Sequence, residues 1–181
     1  MDFKKLLKYS LSDTDLKKIL GKDIKIIPYP KLEHVDNIND IFDKKGRVIL
    51  FFEENNKGNI GHWQCVYKDK NNDIHFFDSY GNKPDGAYLH WLPNKLLDKL
   101  DEDDMYLTKL FSKAIQQGQK VYYNPHRYQV MNHDVSDCGR HCATRLNYKH
   151  LSGDEYLKMI NKSGLSSDDF VTQWSFNILK K

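Results

Sequence analysis

Arg47-Val48-Ile49-Leu50-Phe51-Phe52, then His62-Trp63-Gln64-Cys65-Val66-Tyr67, then Ile74-His75-Phe76-Phe77-Asp78, form the stretch on which the fold turns. The first run is almost wholly apolar, as a strand covered on both faces must be. The polar, glycine-containing segment 53–59 turns the chain into the second run, and Lys68 to Asp73 turns it into the third, so these two runs predict a β-hairpin. With that turn centred near residue 70 or 71, facing residues sum to about 140–142, which sets His62 opposite residues 78–80 and makes Asp78 its direct or diagonal neighbour. Side chains alternate along a strand and both numbers are even, so His62 and Asp78 share a face from which Cys65 points away.

Working outward, Ser12 with Asp15 three residues on, then Leu16, Ile19, Leu20 and Gly21, predicts a capped amphipathic helix with a glycine stop. Ile24 to Ile27 reads as a strand closed by Pro28-Tyr29-Pro30, and Val35, Ile38, Ile41 and Phe42 fall at helical spacing. On the C-terminal side, Leu89 to Ile115 reads as helix with a break near the acidic run Asp101 to Asp104. Val121-Tyr122-Tyr123 and Tyr128-Gln129-Val130-Met131 read as short strands, and helix resumes after Cys138, with Ser152 and Ser166 as caps and with Trp174 and Phe176 as core. No internal repeat or low-complexity linker interrupts residues 1–181, so the expectation is one α+β domain.

Composition narrows the classes. The 181 residues are enough to bury a core without disulfide or metal staples. With 28 basic against 25 acidic residues, the net charge of +3 is too balanced to point to nucleic acid. Val48 to Phe52 is the longest apolar run, far below the ~20 residues of a membrane span, and Met1-Asp2-Phe3-Lys4-Lys5 has no secretory character. The expected setting is intracellular and reducing. Cys65, Cys138 and Cys142 are an odd number without a CxxC pair and read as thiols.

Cys138 opens a helical run and is followed by Gly139. Helix-end amides and a nearby imidazolium stabilise a thiolate, which makes Cys138 a candidate nucleophile whose own amide can face an oxyanion. Gly139 would let a substrate backbone come close. A carboxylate beside an imidazole fixes its tautomer and steadies its charged form, the role Asp78 could play for His62.

These pieces together resemble the cysteine protease superfamily of the adenovirus maturation protease and the ubiquitin-like-protein proteases, in which His, Asp or Glu, Gln and Cys follow in that order. His62-Trp63 is similar to its His-Trp pair, Phe76-Phe77-Asp78-Ser79-Tyr80-Gly81 to its strand-end carboxylate segment, and Asp137-Cys138-Gly139 to its nucleophile motif. The resemblance spans about residues 46–148. It implies a mixed sheet flanked by helices with the nucleophile at the start of a buried central helix. It also implies thiol-dependent cleavage of peptide bonds, often after small residues such as glycine, with no cofactor.

By the same resemblance His62, Asp78 and Cys138 are catalytic and Gln129 is the side-chain oxyanion donor with Asn132 as fallback; Trp63 and Gly139 are expected to meet the substrate, with Trp63 either beside the His62 ring or, equally, a plain core residue. Gln129 stands nine residues before Cys138, slightly beyond the usual separation. No cysteine lies between Asp78 and Cys138, so a disulfide-tethered activating peptide is not supported.

Short compact members of the superfamily look like those of large DNA viruses and virophages that process capsid precursors. The expected partner is thus a capsid or other structural precursor, with the enzyme a monomer in host cytoplasm, viral factory or virion. Activation by DNA or a peptide stays open. A bacterial effector cleaving ubiquitin or a related modifier is the alternative, and a non-catalytic capsid- or modifier-binding relative a further one.

Two other readings compete. His133, Cys138, His141 and Cys142 crowd together but lack the paired spacing of a zinc site, so no metal is expected. A chymotrypsin-like viral cysteine protease also runs His, acid, Cys, but needs strands where the residues after Cys138 read as helix.

Overall fold

The computed structural model describes residues 3–53, 61–86, 105–131 and 135–181. Most of the expected turn at 53–59, the helical reading of 89–104, and Asn132 and His133 lie outside the described residues.

Five strands form one mixed sheet in sequential order: β1 (Lys25–Pro28), β2 (Arg47–Glu53), β3 (Gly61–Lys68), β4 (Ile74–Asp78) and β5 (Val121–Tyr123). β1 runs parallel to β2, β3 is antiparallel to both β2 and β4, and β5 runs parallel to β4. The hairpin has the expected register at its upper limit, with Gln64 opposite Asp78 and Cys65 opposite Phe77, so facing residues sum to 142. His62 and Asp78 are therefore diagonal neighbours.

The helices are α1 (Phe3–Leu7), α2 (Asp13–Leu20), α3 (Tyr106–Gln116), α4 (Cys138–Asn147), α5 (Gly153–Lys162) and α6 (Ser167–Leu179). α2 starts where its sequence asks: Ser12 Oγ accepts from the Asp15 amide, Asp15 accepts from the Ser12 amide, and Gly21 ends it at φ 101°. Ser152 and Glu155 form the same reciprocal box at the start of α5, and Ser166 Oγ accepts the Asp169 amide at the start of α6.

β2 is buried on both faces because alternate side chains enter two different cores. Val48, Leu50 and Phe52 join Val66, Ile74, Phe76 and the inner face of α3. Ile49 joins Trp63, Cys65, Tyr67 and Phe77 beneath α2, α4 and α5. α4 is thus the central helix of one layer. Every residue from Cys138 to Leu146 is buried, including the charged Arg140, His141 and Arg145.

Two expected elements differ. Val35–Phe42 is not an α-helix: the chain makes 3-10 turns over Tyr29–His34 and Ile38–Ile41, with Val35 extended between them. Asn37 accepts from the Asn39 amide and starts the second turn, while Ile38 and Ile41 are still buried. Tyr128–Met131 is not a strand. The amides of Tyr128 and Gln129 both donate to the Ser79 carbonyl and that of Val130 to the Asp168 carboxylate, so three of its four amides are taken from any ladder.

Candidate active site

Pairing of β3 with β4 ends at Gln64 and Asp78, so His62, still paired with Phe52 of β2, lies beyond the last position that β4 covers. Asp78 is wholly buried. Its Oδ2 lies 3.0 Å from His62 Nε2, and its Oδ1 accepts the Tyr80 amide at 2.7 Å. Gln64, facing Asp78 across the hairpin, donates its amide to the same Oδ2. The main chain of Asp78 is held by Asn124, whose Oδ1 accepts the Asp78 amide at 2.9 Å and whose Nδ2 donates to the Asp78 carbonyl at 2.7 Å.

Cys138 is the first residue of α4, at the end where helix amides have no intrahelical partners. Asp78 occupies Nε2 of His62, and Cys138 is the other group beside the ring that acts on its basicity. Burial by itself would lower the basicity of the His62 ring. The charge and hydrogen bond of Asp78, followed by those of Cys138, outweigh it and raise the His62 pKa from 6.5 to about 10. Asp78 moves the other way, its carboxyl held below the ordinary range against burial by the charge and hydrogen bond of His62. The Cys142 thiol, buried and bonded to the Trp63 carbonyl at 3.3 Å, is pushed well up.

This sets a pH signature. Since the folded His62 binds its proton more tightly than an unfolded one, its stabilising contribution is complete below pH 6.5 and is lost as pH climbs towards 10. The stability gap between wild type and His62→Ala, followed by chemical denaturation from pH 6 to 10, is expected to narrow over that range. A constant gap would contradict the imidazolium.

Among the described residues the ring stacked on His62 is Tyr80, at 5.1 Å between centroids and 27° between planes. Of the two places expected for Trp63 the structure takes the core one: as the next residue in the strand it points to the other face, where it meets Phe51 at 4.4 Å. Gly139 faces it: a Cβ at that position would come within 3.1 Å of the indole and 3.3 Å of Leu11 Cβ. The glycine thus lets α4 sit close on the sheet, and both residues are buried against each other rather than open to a substrate.

Gln129 is 1 % exposed. Ser79, next to Asp78, accepts the Gln129 amide on its carbonyl at 2.9 Å and donates its Oγ to Gln129 Oε1 at 2.8 Å. The side-chain Nε2 is left as the donor end, with a long 3.5 Å contact to the Val135 carbonyl.

Behind Cys138 lies a buried polar layer that the sequence reading did not anticipate. Asp137 accepts from Thr172 at 2.8 Å and lies 3.2 Å from Arg140 Nε. Arg140 also donates to Ser175 and to the carbonyls of Leu6 and Tyr9. Burial pushes the Asp137 carboxyl up to about 7, with Asp168 and Asp169 adding to the shift and Thr172 and Arg140 opposing it. His141 Nε2 lies 2.8 Å from Asp168. Among the described residues no group of three or more His, Cys, Asp or Glu is placed to hold a metal ion, and no helix is long and apolar enough to cross a membrane.

Fold and site together define an α+β protein that brings a carboxylate, an imidazole and a helix-start thiol together at the end of a mixed sheet. The chain belongs to the family of uncharacterized protein V9 of Sputnik virophage, to which it is 35% identical over 154 residues covering 85% of either chain. No family model matches it. Among solved structures it is similar to the C-terminal Ulp1 protease domain in complex with Smt3, the yeast ortholog of SUMO, at TM-score 0.42 and 17% identity over 99% of this chain and 83% of that one. It is similar also to the central domain of the uncharacterized Lpg1148 protein of Legionella pneumophila, at TM-score 0.41 and 17% identity over 95% and 99%.

Proposed function

We propose that the protein is a cysteine endopeptidase that processes capsid or other structural precursors of a virus. The observation that carries this is the shared imidazole: His62 is bonded through Nε2 to a buried carboxylate, and both that carboxylate and the thiol that begins α4 raise its basicity. A ring that holds its proton up to about pH 10 is an imidazolium at neutral pH, the partner that a thiolate nucleophile requires.

In the proposed reaction the Cys138 thiolate attacks the scissile carbonyl carbon, and the carbonyl π electrons move onto oxygen. The Cys138 amide and Gln129 Nε2 hold that oxyanion; losing one such donor commonly costs ~10²–10³ in rate. On collapse the C–N bond breaks and His62 Nδ1 gives its proton to the leaving amine, leaving a thioester. His62 then takes a proton from water, whose oxygen displaces the thiol, and Asp78 steadies the ring throughout. The virophage relative supports a viral structural precursor as substrate.

The test is co-expression with candidate precursors from the same genome, followed by mass spectrometry of the product termini. New termini that are absent when Cys138→Ala replaces the wild-type chain in the co-expression are expected. Unprocessed precursors, together with a Cys138 no more reactive than Cys65, would overturn the reading.

A further inference from the structure

Residues 124–131 form no strand after β5; Tyr128 is buried in the core, while Val130 and Met131 are 57 % and 59 % exposed. At Gln129 hydrogen bonds on either side hold the segment. Upstream, Ser79 takes the amides of Tyr128 and Gln129 and binds the Gln129 side chain, tying the segment to the end of β4. Downstream, the Val130 amide donates to Asp168 Oδ2 at 3.1 Å, and Asp168 Oδ1 accepts His141 Nε2 at 2.8 Å. His141 lies one turn beyond Cys138 on α4.

The imidazole of His141 is fully buried, and its Nδ1 has no hydrogen-bond partner among the described residues. An orphaned buried acceptor is unfavourable, and a hydrocarbon side chain would fill the space without it. What the imidazole supplies is therefore its Nε2–H, donated to Asp168. Burial lowers the basicity of this ring and the nearby His62 charge adds to that, against Asp168, so the neutral form with its one proton on Nε2 fits the geometry.

We propose that His141 and Asp168 are a positioning pair: together they lock the Gln129 segment to the helix that begins at Cys138 and set the separation of the two oxyanion donors. The proposal rests on the reading of Cys138 and Gln129 given above. Neither His141 nor Asp168 touches the substrate.

The pair should matter only to steps that develop an oxyanion. Asp168→Ala is expected to lower kcat for peptide hydrolysis about 10- to 100-fold with little change in KM, and Asp168→Ala/Gln129→Ala to be no slower than Gln129→Ala alone. Alkylation of Cys138 by iodoacetamide, a displacement at saturated carbon that forms no oxyanion, should stay within about twofold of wild type. His141→Phe, which keeps the volume and removes the N–H, should behave as Asp168→Ala does. In Asp168→Asn the amide oxygen can accept the Val130 N–H and the amide nitrogen can donate to His141 Nε2. Turnover should recover to within about fivefold of wild type, with the His141 ¹⁵N shifts reporting a proton moved to Nδ1.

Wild-type kcat in Asp168→Ala, additive losses with Gln129→Ala, or an equal loss of alkylation would each overturn the proposal. Hydrogen exchange separates it from the functional reading. The Val130 amide should lose its protection in Asp168→Ala while amides of β3 keep theirs, whether or not any peptide is cleaved, and unchanged protection of Val130 would show that the lock does not exist. A wild-type chain inert towards every peptide would overturn the protease reading and leave the exchange result to decide the lock.

Discussion

Cys138→Ala is expected to abolish precursor cleavage, a loss on the order of 10⁶ by comparison with nucleophile knock-outs in other proteases, while the chain stays folded. The size follows from the proposed chemistry: without sulfur there is no thioester, and His62 and Asp78 have nothing to activate. The fold should survive because Cys138 begins its helix and lends one sulfur atom to a core otherwise filled by Trp63, Phe77, Tyr128 and Leu146. Asp137 and Arg140, which anchor the helix start, are untouched.

Cys65 and Cys142 are the controls. Both are wholly buried, Cys65 Sγ facing the Cys142 carbonyl at 3.9 Å and Cys142 Sγ the Trp63 carbonyl at 3.3 Å. Intact-mass and peptide mapping of the native wild-type protein after brief iodoacetamide treatment should therefore find one adduct, on Cys138. Residual cleavage by a folded Cys138→Ala, or adducts spread over all three thiols, would remove Cys138 from its assigned role.

Much of this site is written in local sequence because a hairpin is a local object. A turn near residue 70 and the period of two were enough to place His62 and Asp78 on one face as direct or diagonal neighbours, and the observed register makes them diagonal. Gln64 was equally accessible, being even-numbered and directly opposite Asp78 at a sum of 142, but an amide in a strand carries no chemical flag. Adjacency misled at Trp63. Standing beside a histidine in sequence puts a side chain on the opposite face in a strand, so the ring that reaches His62 comes from Tyr80 beyond the end of β4.

Tyr128–Met131 shows the limit of periodicity. Its residues suit a strand, yet three of its four amides are consumed by Ser79 and Asp168, which lie 49 and 40 residues away from Tyr128 along the chain. Contacts of that span leave no local trace. The same holds for His141 with Asp168 and for Arg140 with Leu6 and Tyr9, which is why a helix start read only as a nucleophile site conceals a layer of buried charge.

That layer carries the largest expected effect on stability. Arg140 is 1 % exposed, and its guanidinium links Asp137, Ser175 of α6 and the carbonyls of Leu6 and Tyr9, so four segments meet on it. Arg140→Met would keep much of the volume but leave Asp137 without a counter-charge and take the guanidinium donor from the carbonyls of Leu6 and Tyr9, of which Leu6 keeps the Tyr9 amide. Breaking a buried pair in this way costs about 3–5 kcal/mol, a large share of the roughly 5–15 kcal/mol that holds a typical domain together. At about 2–4 °C per kcal/mol for a chain of this size, the unfolding midpoint should fall by on the order of 10 °C.

The pH dependence identifies the cause. The folded Asp137 carboxyl is already pushed up to about 7 with Arg140 present, so it binds its proton more tightly than in the unfolded chain, and stability falls as pH rises from its ordinary 3.8 towards 7. Without Arg140 the folded value rises further and the fall continues to higher pH. The loss caused by Arg140→Met should therefore be greater at pH 8 than at pH 5, and Asp137→Asn in the same chain should restore part of it at pH 8. Chemical denaturation of wild type, both single variants and the double variant at the two pH values measures this coupling. Equal losses at pH 5 and pH 8, or no recovery in the double variant, would show that the guanidinium serves packing alone.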